Sequence, residues 1–108
     1  MTRVLIESPY AGDIESNVRY ARQCVLDSLK NHGEYPLASH IFYTQVLDDS
    51  IPEERELGIS AGLAWRVGIA YAVFYVDRGW SSGMLRAKEL YESEGIPYQI
   101  RTIAPVCG

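Results

Sequence analysis

The order of elements along the chain predicts an α/β domain: a three-layer α/β/α sandwich around a four-stranded, mainly parallel sheet. Three observations carry this. Residues 70–76 (Ala-Tyr-Ala-Val-Phe-Tyr-Val) are apolar without alternation, as in a central parallel strand covered on both faces. The shorter run Val4-Leu5-Ile6 breaks at Ser8, Pro9 and Gly12 and gives way to helical periodicity. The alternation βαβαβαβ then requires parallel strands joined by right-handed crossovers, a Rossmann-like or flavodoxin-like layout.

The first strand ends at Glu7. In the helix predicted over 13–32, Ile14, Val18, Ala21, Val25 and Leu29 recur at helical spacing. Asp13 suits the N-cap, Glu15 the positive end of the helix dipole, and Gly33 the stop. Residues 36–39 read as a second strand ending at His40, with a loop over 41–51. Ser50-Ile51-Pro52-Glu53 has capping-box spacing, so a second helix is expected from there to about Gly68, burying Leu57, Ala61, Ala64 and Val67. After the strand at 70–76 comes a polar loop over 77–83, then a helix from about Ser82 to Glu94 stopped by Gly95. Residues 96–101 make the last strand, and Pro97 places it at an edge.

At 108 residues the chain is read as one domain, 1–108. The net charge of −4, with no run of lysines or arginines, disfavours binding to a nucleic-acid polymer, which needs a basic surface. A small anion needs only a helix N-terminus and one or two arginines. No apolar run is long enough to span a bilayer, and Met1-Thr2-Arg3 leads straight into a strand, so no membrane partner is expected and the protein is placed in the cytoplasm. Cys24 and Cys107 lack metal-type spacing and are read as free thiols of a reducing compartment. No metal and no cofactor are expected.

A parallel sheet gathers its strand ends on one edge, where α/β domains bind ligands. That edge would bring together three stretches: 7–12, 40–49 and 77–84. Glu7 stands out, because a carboxylate at the end of a central strand must be paired or at work. It reads either as a partner of Arg3, Arg78 or Arg101, or as a nucleophile, general base or ribose-hydroxyl acceptor. Ser8, Pro9, Tyr10 and Gly12 form a strand-to-helix turn able to cradle a phosphate or sugar. His40 follows a strand and reads more simply as structural. Tyr43, Asp48 and Asp49 lie in the second loop; the aspartates would orient a sugar or make local turns. Asp77 would accept from a ribose or cap its loop. Ser82, Gly83 and Met84 open a helix whose free amides suit an anion.

The strand-end Ser-Pro-Tyr-x-Gly, Asn17 in the first helix, and a Ser-x-Gly-Met preceding a helix that ends Gly-Ile-Pro together resemble the nucleoside 2-deoxyribosyltransferase-like superfamily. Closer still is the resemblance to small uncharacterised phage and bacterial proteins of the same neighbourhood. It rests on Glu-Ser-Pro-Tyr-Ala-Gly-Asp (7–13), Ala-Ser-His-x-x-Tyr-Thr-Gln (38–45) and Leu-Asp-Asp (47–49), with Pro-Glu-Glu-Arg (52–55) and Gly-x-x-Ala-Gly-Leu-Ala-Trp (58–65). The resemblance spans nearly the whole chain. It implies a single deoxyribosyltransferase-like domain, a nucleoside or nucleotide ligand at the residues just named, Asn17 included, and a bacterial or phage-infected cytosol.

In the resembling enzymes a helix glutamate attacks the anomeric carbon of an N-glycoside. Its place, four residues after the glycine of Ser-x-Gly, falls here on Ala87, and Glu89 lies about 200° round the helix. Two functions of different classes follow. The chain is expected to bind and hold a nucleotide-derived ligand in a pocket without that glutamate; alternatively Glu7 supplies the carboxylate and the chain is an N-glycosidase or transferase. The resemblance also implies a homo-oligomer, dimer or higher, in keeping with Trp65, Trp80 and eight tyrosines.

Overall fold

A computed structural model describes residues 2–103; Cys107 lies outside them. Four strands, β1 (Arg3–Glu7), β2 (Tyr35–Leu37), β3 (Tyr71–Tyr75) and β4 (Tyr98–Arg101), alternate with four helices: α1 (Ile14–Asn31), α2 (Ser39–Phe42), α3 (Pro52–Ala64) and α4 (Ser82–Glu94). The sheet is parallel throughout, in the order β2-β1-β3-β4. The two most apolar strands are therefore central, with Glu7 paired in register to Phe74.

Alternation along the central strands builds two cores. Val4, Ile6, Val73 and Tyr75 face α1, where they meet Tyr20 and Cys24. Leu5, Ala72 and Phe74 face the other way, onto Met84, Ala87 and Tyr91 of α4, with Leu63 of α3 packed against them. Trp80 stacks at a tilt on Phe74, 5.0 Å between centroids, whereas Trp65 remains 54% exposed.

Helix boundaries follow local chemistry. Asp13 caps α1 by accepting the Ser16 amide at 3.2 Å, and Ser81 caps α4 by accepting that of Met84 at 3.2 Å. Gly95 ends α4 in the left-handed region, φ 69°. Ser50 does not cap α3. Its hydroxyl donates to Asp48 at 2.6 Å, and Ile51 occupies the cap position with Pro52 following. Residues 39–45, expected as strand end and loop, instead form α2 and a 3₁₀ turn (Tyr43–Gln45).

Two buried stripes differ from the apolar spacing. On α1 the buried residues are Asn17, Tyr20, Ala21, Cys24, Asp27 and Ser28, while Ile14 and Leu29 are exposed. The polar members are accommodated because each has a partner: Tyr75 donates to Asp27 at 2.7 Å and Ser28 to Glu34 at 2.7 Å. α3 ends at Ala64, short of the expected Gly68, so Val67 lies past it. Leu57 and Val67 are exposed and the buried position on α3 is Gly62. A Cβ at Gly62 would stand 2.8 Å from Ser39 Oγ, and one at Gly58 would stand 3.2 Å from Leu47 Cδ1. Two glycines one turn apart thus admit the 39–47 segment against α3, a close approach that apolar periodicity does not report.

Gly62→Ala therefore sets helix propensity, which favours alanine by roughly 1 kcal/mol, against a clash with buried Ser39. Overpacking wins, and a net loss of about 1–2 kcal/mol is expected. Thermal melts should show the loss relieved by adding Ser39→Ala. Equal stability of Gly62→Ala and the parent would refute the close-approach account.

Candidate functional site

A cleft of about 140 Å³ opens where β1 and β2 end, enclosed by the 39–49 segment, α3 and the start of α4. Its position follows from the topology, since β1 is central and its C-terminal end faces the gap between these helices.

Glu7 is the innermost charged group. Strand alternation points it to the α4 side, the same side as Leu5. None of Arg3, Arg78 and Arg101 pairs with it: Arg3 donates to the Gly68 carbonyl, Arg78 to Ser16 and Arg101 to Glu34. Its partner is the buried Tyr91, whose hydroxyl donates to Oε1 at 2.7 Å. Burial pushes the Glu7 carboxyl up from 4.5 to about 7, against the opposing pull of the Tyr91 hydrogen bond. Glu7 therefore exchanges its proton near neutrality.

Ser8 and His40 adjoin it. Ser8 Oγ and His40 Nε2 lie 2.8 Å apart, joining the ends of two neighbouring strands. Burial lowers the imidazole to about 4, so it is neutral at physiological pH. Its Nδ1 is buried without a hydrogen-bond partner among the described residues, an unmade bond of the kind that costs about 1–3 kcal/mol.

Tyr10, Tyr43, Asp49, Ser82, Gly83 and Met84 also line the cleft. Tyr43 accepts the indole N–H of Trp65 at 2.7 Å, which fixes its ring at the rim. Five other expected site residues lie elsewhere. Pro9 is buried behind the loop and Gly12 is exposed beyond it. Asn17 supports the loop from below, its amide donating to the carbonyls of Tyr10 and Ala11 at 3.0 and 3.1 Å. Asp48 turns back to accept the Ser50 amide at 3.0 Å. Asp77 accepts from Tyr20 at 2.6 Å and from the Ile103 amide, on the α1 side of the sheet. A strand-end location alone did not distinguish these roles, because each is set by which way one side chain leaves a loop.

Several cleft residues were not expected. Arg55, Arg86 and Ala87 line it, and Tyr91 holds Glu7 from α4. Arg86 had a signal, since it stands four residues after Ser82 and so shares its face. Arg55 closes the Pro-Glu-Glu-Arg motif (52–55), but nothing in its spacing placed it in the cleft, because that depends on how α3 docks. Ala87, 2% exposed, puts a methyl on the cleft wall where the Ser-x-Gly count placed a glutamate, while Glu89 is exposed and outside the cleft. The buried carboxylate of this cleft comes from β1.

Among the described residues no group of three or more His, Cys, Asp or Glu side chains is placed to hold a metal ion, and no helix is long and apolar enough to cross a membrane. A family model described as "Domain of unknown function (DUF7768)" matches residues 2–101. No curated protein and no solved structure matches the chain.

Proposed function

We propose that this chain, which belongs to the DUF7768 family, binds a nucleoside or nucleotide in the cleft and holds it, with the sugar towards Glu7, Ser8 and His40. The observation that carries this reading is the polar floor built by two strand ends beneath an apolar wall. Glu7 and Ser8 come from the end of β1 and His40 from just past β2, and Leu47, Ile59, Leu63 and Met84 supply apolar surface in the same cleft. Carboxylate, hydroxyl and neutral imidazole match sugar hydroxyls. An apolar wall fits the face of a base. The resemblance to the deoxyribosyltransferase-like superfamily agrees with this ligand class.

A second reading, cleavage of the N-glycosidic bond, is favoured by one feature. The Glu7 carboxyl lies in the cleft and titrates near 7, where an acid–base group works best. Ala87 leaves α4 without a carboxylate on the cleft wall, so Glu7 is the buried one there, Asp49 and Glu54 lying at the rim.

One experiment separates the two. The protein is incubated with a panel of nucleosides, nucleoside monophosphates and cyclic or ADP-ribose-type nucleotides, and both the solution and the denatured protein are analysed. Ligand recovered intact at near-stoichiometric amount is the expected result. Free base released by the parent and not by Glu7→Gln would establish the second reading. Neither outcome across the panel would overturn both.

A further inference from the structure

The cationic side chains of the cleft both lie towards solvent, away from Glu7. Arg55, in the first turns of α3, is exposed and makes no ion pair or side-chain hydrogen bond among the described residues. Arg86, on α4, is held by Glu56 at 3.1 and 3.3 Å. Both partners of that pair are more than half exposed, at 52% and 60%, and such a pair is exchanged at little cost. One turn before Arg86, the Ser82 hydroxyl is exposed and has no partner among the described residues. Two carboxylates share this rim. Glu54 is engaged by the Asp48 amide at 3.0 Å, and Asp49 lines the cleft beside it.

The charge layout is therefore graded. An anionic group placed at the floor would meet Glu7 and no cation. At the rim it would meet two guanidinium groups, each able to offer a fork of donors. We infer that the ligand carries a phosphate monoester, held at the cleft mouth by Arg55 and Arg86 with the Ser82 hydroxyl, while its uncharged hydroxyl-bearing end reaches Glu7. This rests on the nucleoside or nucleotide reading and narrows it to the phosphorylated class. A sugar phosphate shares the same chemistry and must be told apart from a nucleoside monophosphate.

The test is calorimetric titration of the full chain with thymidine, thymidine 5′-monophosphate, adenosine, adenosine 5′-monophosphate, ribose 5-phosphate and inorganic phosphate. The monophosphates are expected to bind about tenfold or more tightly than their nucleosides. That advantage should vanish in the double variant Arg55→Ala, Arg86→Ala and shrink as salt is raised. Both arginines are exposed, so the variant folds, and a thermal melt checks this. Nucleosides binding as tightly as their monophosphates would overturn the phosphate subsite and leave the proposed function standing. Ribose 5-phosphate matching the monophosphates would keep the subsite and overturn recognition of the base. Binding by none of the six would overturn both.

Discussion

Replacing Arg101 by alanine is expected to destabilise the protein by about 3–5 kcal/mol, the usual cost of stranding a buried charge. Arg101 and Glu34 form a two-pronged pair at 2.8 and 3.0 Å, with side chains only 10% and 2% exposed. The Glu34 carboxylate also accepts from Ser28 at 2.7 Å and from Tyr71, and Arg101 reaches Tyr75 at 3.1 Å. The cluster thereby ties β4 and β3 to α1 and the start of β2. Burial alone would raise the Glu34 carboxyl, but the bonds from Arg101, Tyr71 and Ser28 outweigh it and hold the group down at about 2. A folded-state value below the unfolded 4.5 means that this stability is present above pH 4.5. It is lost as pH falls from there through about 2, and the amount at stake is roughly 3 kcal/mol. Urea unfolding of Arg101→Ala at pH 7 measures the loss, and adding Glu34→Gln should recover part of it by removing the stranded charge. A loss below about 1 kcal/mol in Arg101→Ala would show that the pair does not hold the sheet to α1.

Glu7→Gln is expected to do the reverse to stability while abolishing function. Glu7 has its folded value raised from 4.5 to about 7. Its contribution is therefore complete below pH 4.5 and is lost as pH rises through 7, so the parent bears an ionisation penalty of roughly 3 kcal/mol at pH 8. Glutamine carries no such penalty and still offers an oxygen to the Tyr91 hydroxyl. The variant should be more stable than the parent at pH 8, by up to that amount, and close to it at pH 4. In the ligand panel it should lose binding, or base release if that occurs. Paired denaturation curves at the two pH values read the stability difference directly. Equal stability at both would mean that Glu7 is not held in a desolvated site. A side chain that costs stability at neutral pH is the pattern expected of a working group rather than a structural one.

The comparison of these two carboxylates shows what could be read in advance. Glu7 stood out in the sequence because a charge ended an apolar strand, and the cleft does form around it. Glu34 gave no such warning, sitting between a glycine and a tyrosine just past the helix stop. Only the closure of β4 beside β3 delivers Arg101 to it. The stripe on α1 failed for the same reason: Asp27 and Ser28 go inside because Tyr75 and Glu34 wait for them, and apolar periodicity cannot register a polar residue whose partner lies elsewhere in the chain.

What the amino-acid sequence determined by itself was the succession of the four strands and three of the four helices, α2 excepted, the parallel sheet with its two apolar central strands, and the placing of strand ends on one edge. These follow from local periodicity, caps and breakers, all set within a few residues. Tertiary structure alone decided which strand-end residues face the cleft, that Gly58 and Gly62 admit the 39–47 segment, and that Tyr91, 84 residues away, is the partner of Glu7. Those outcomes depend on how elements dock and on the direction of single side chains, which no local repeat encodes.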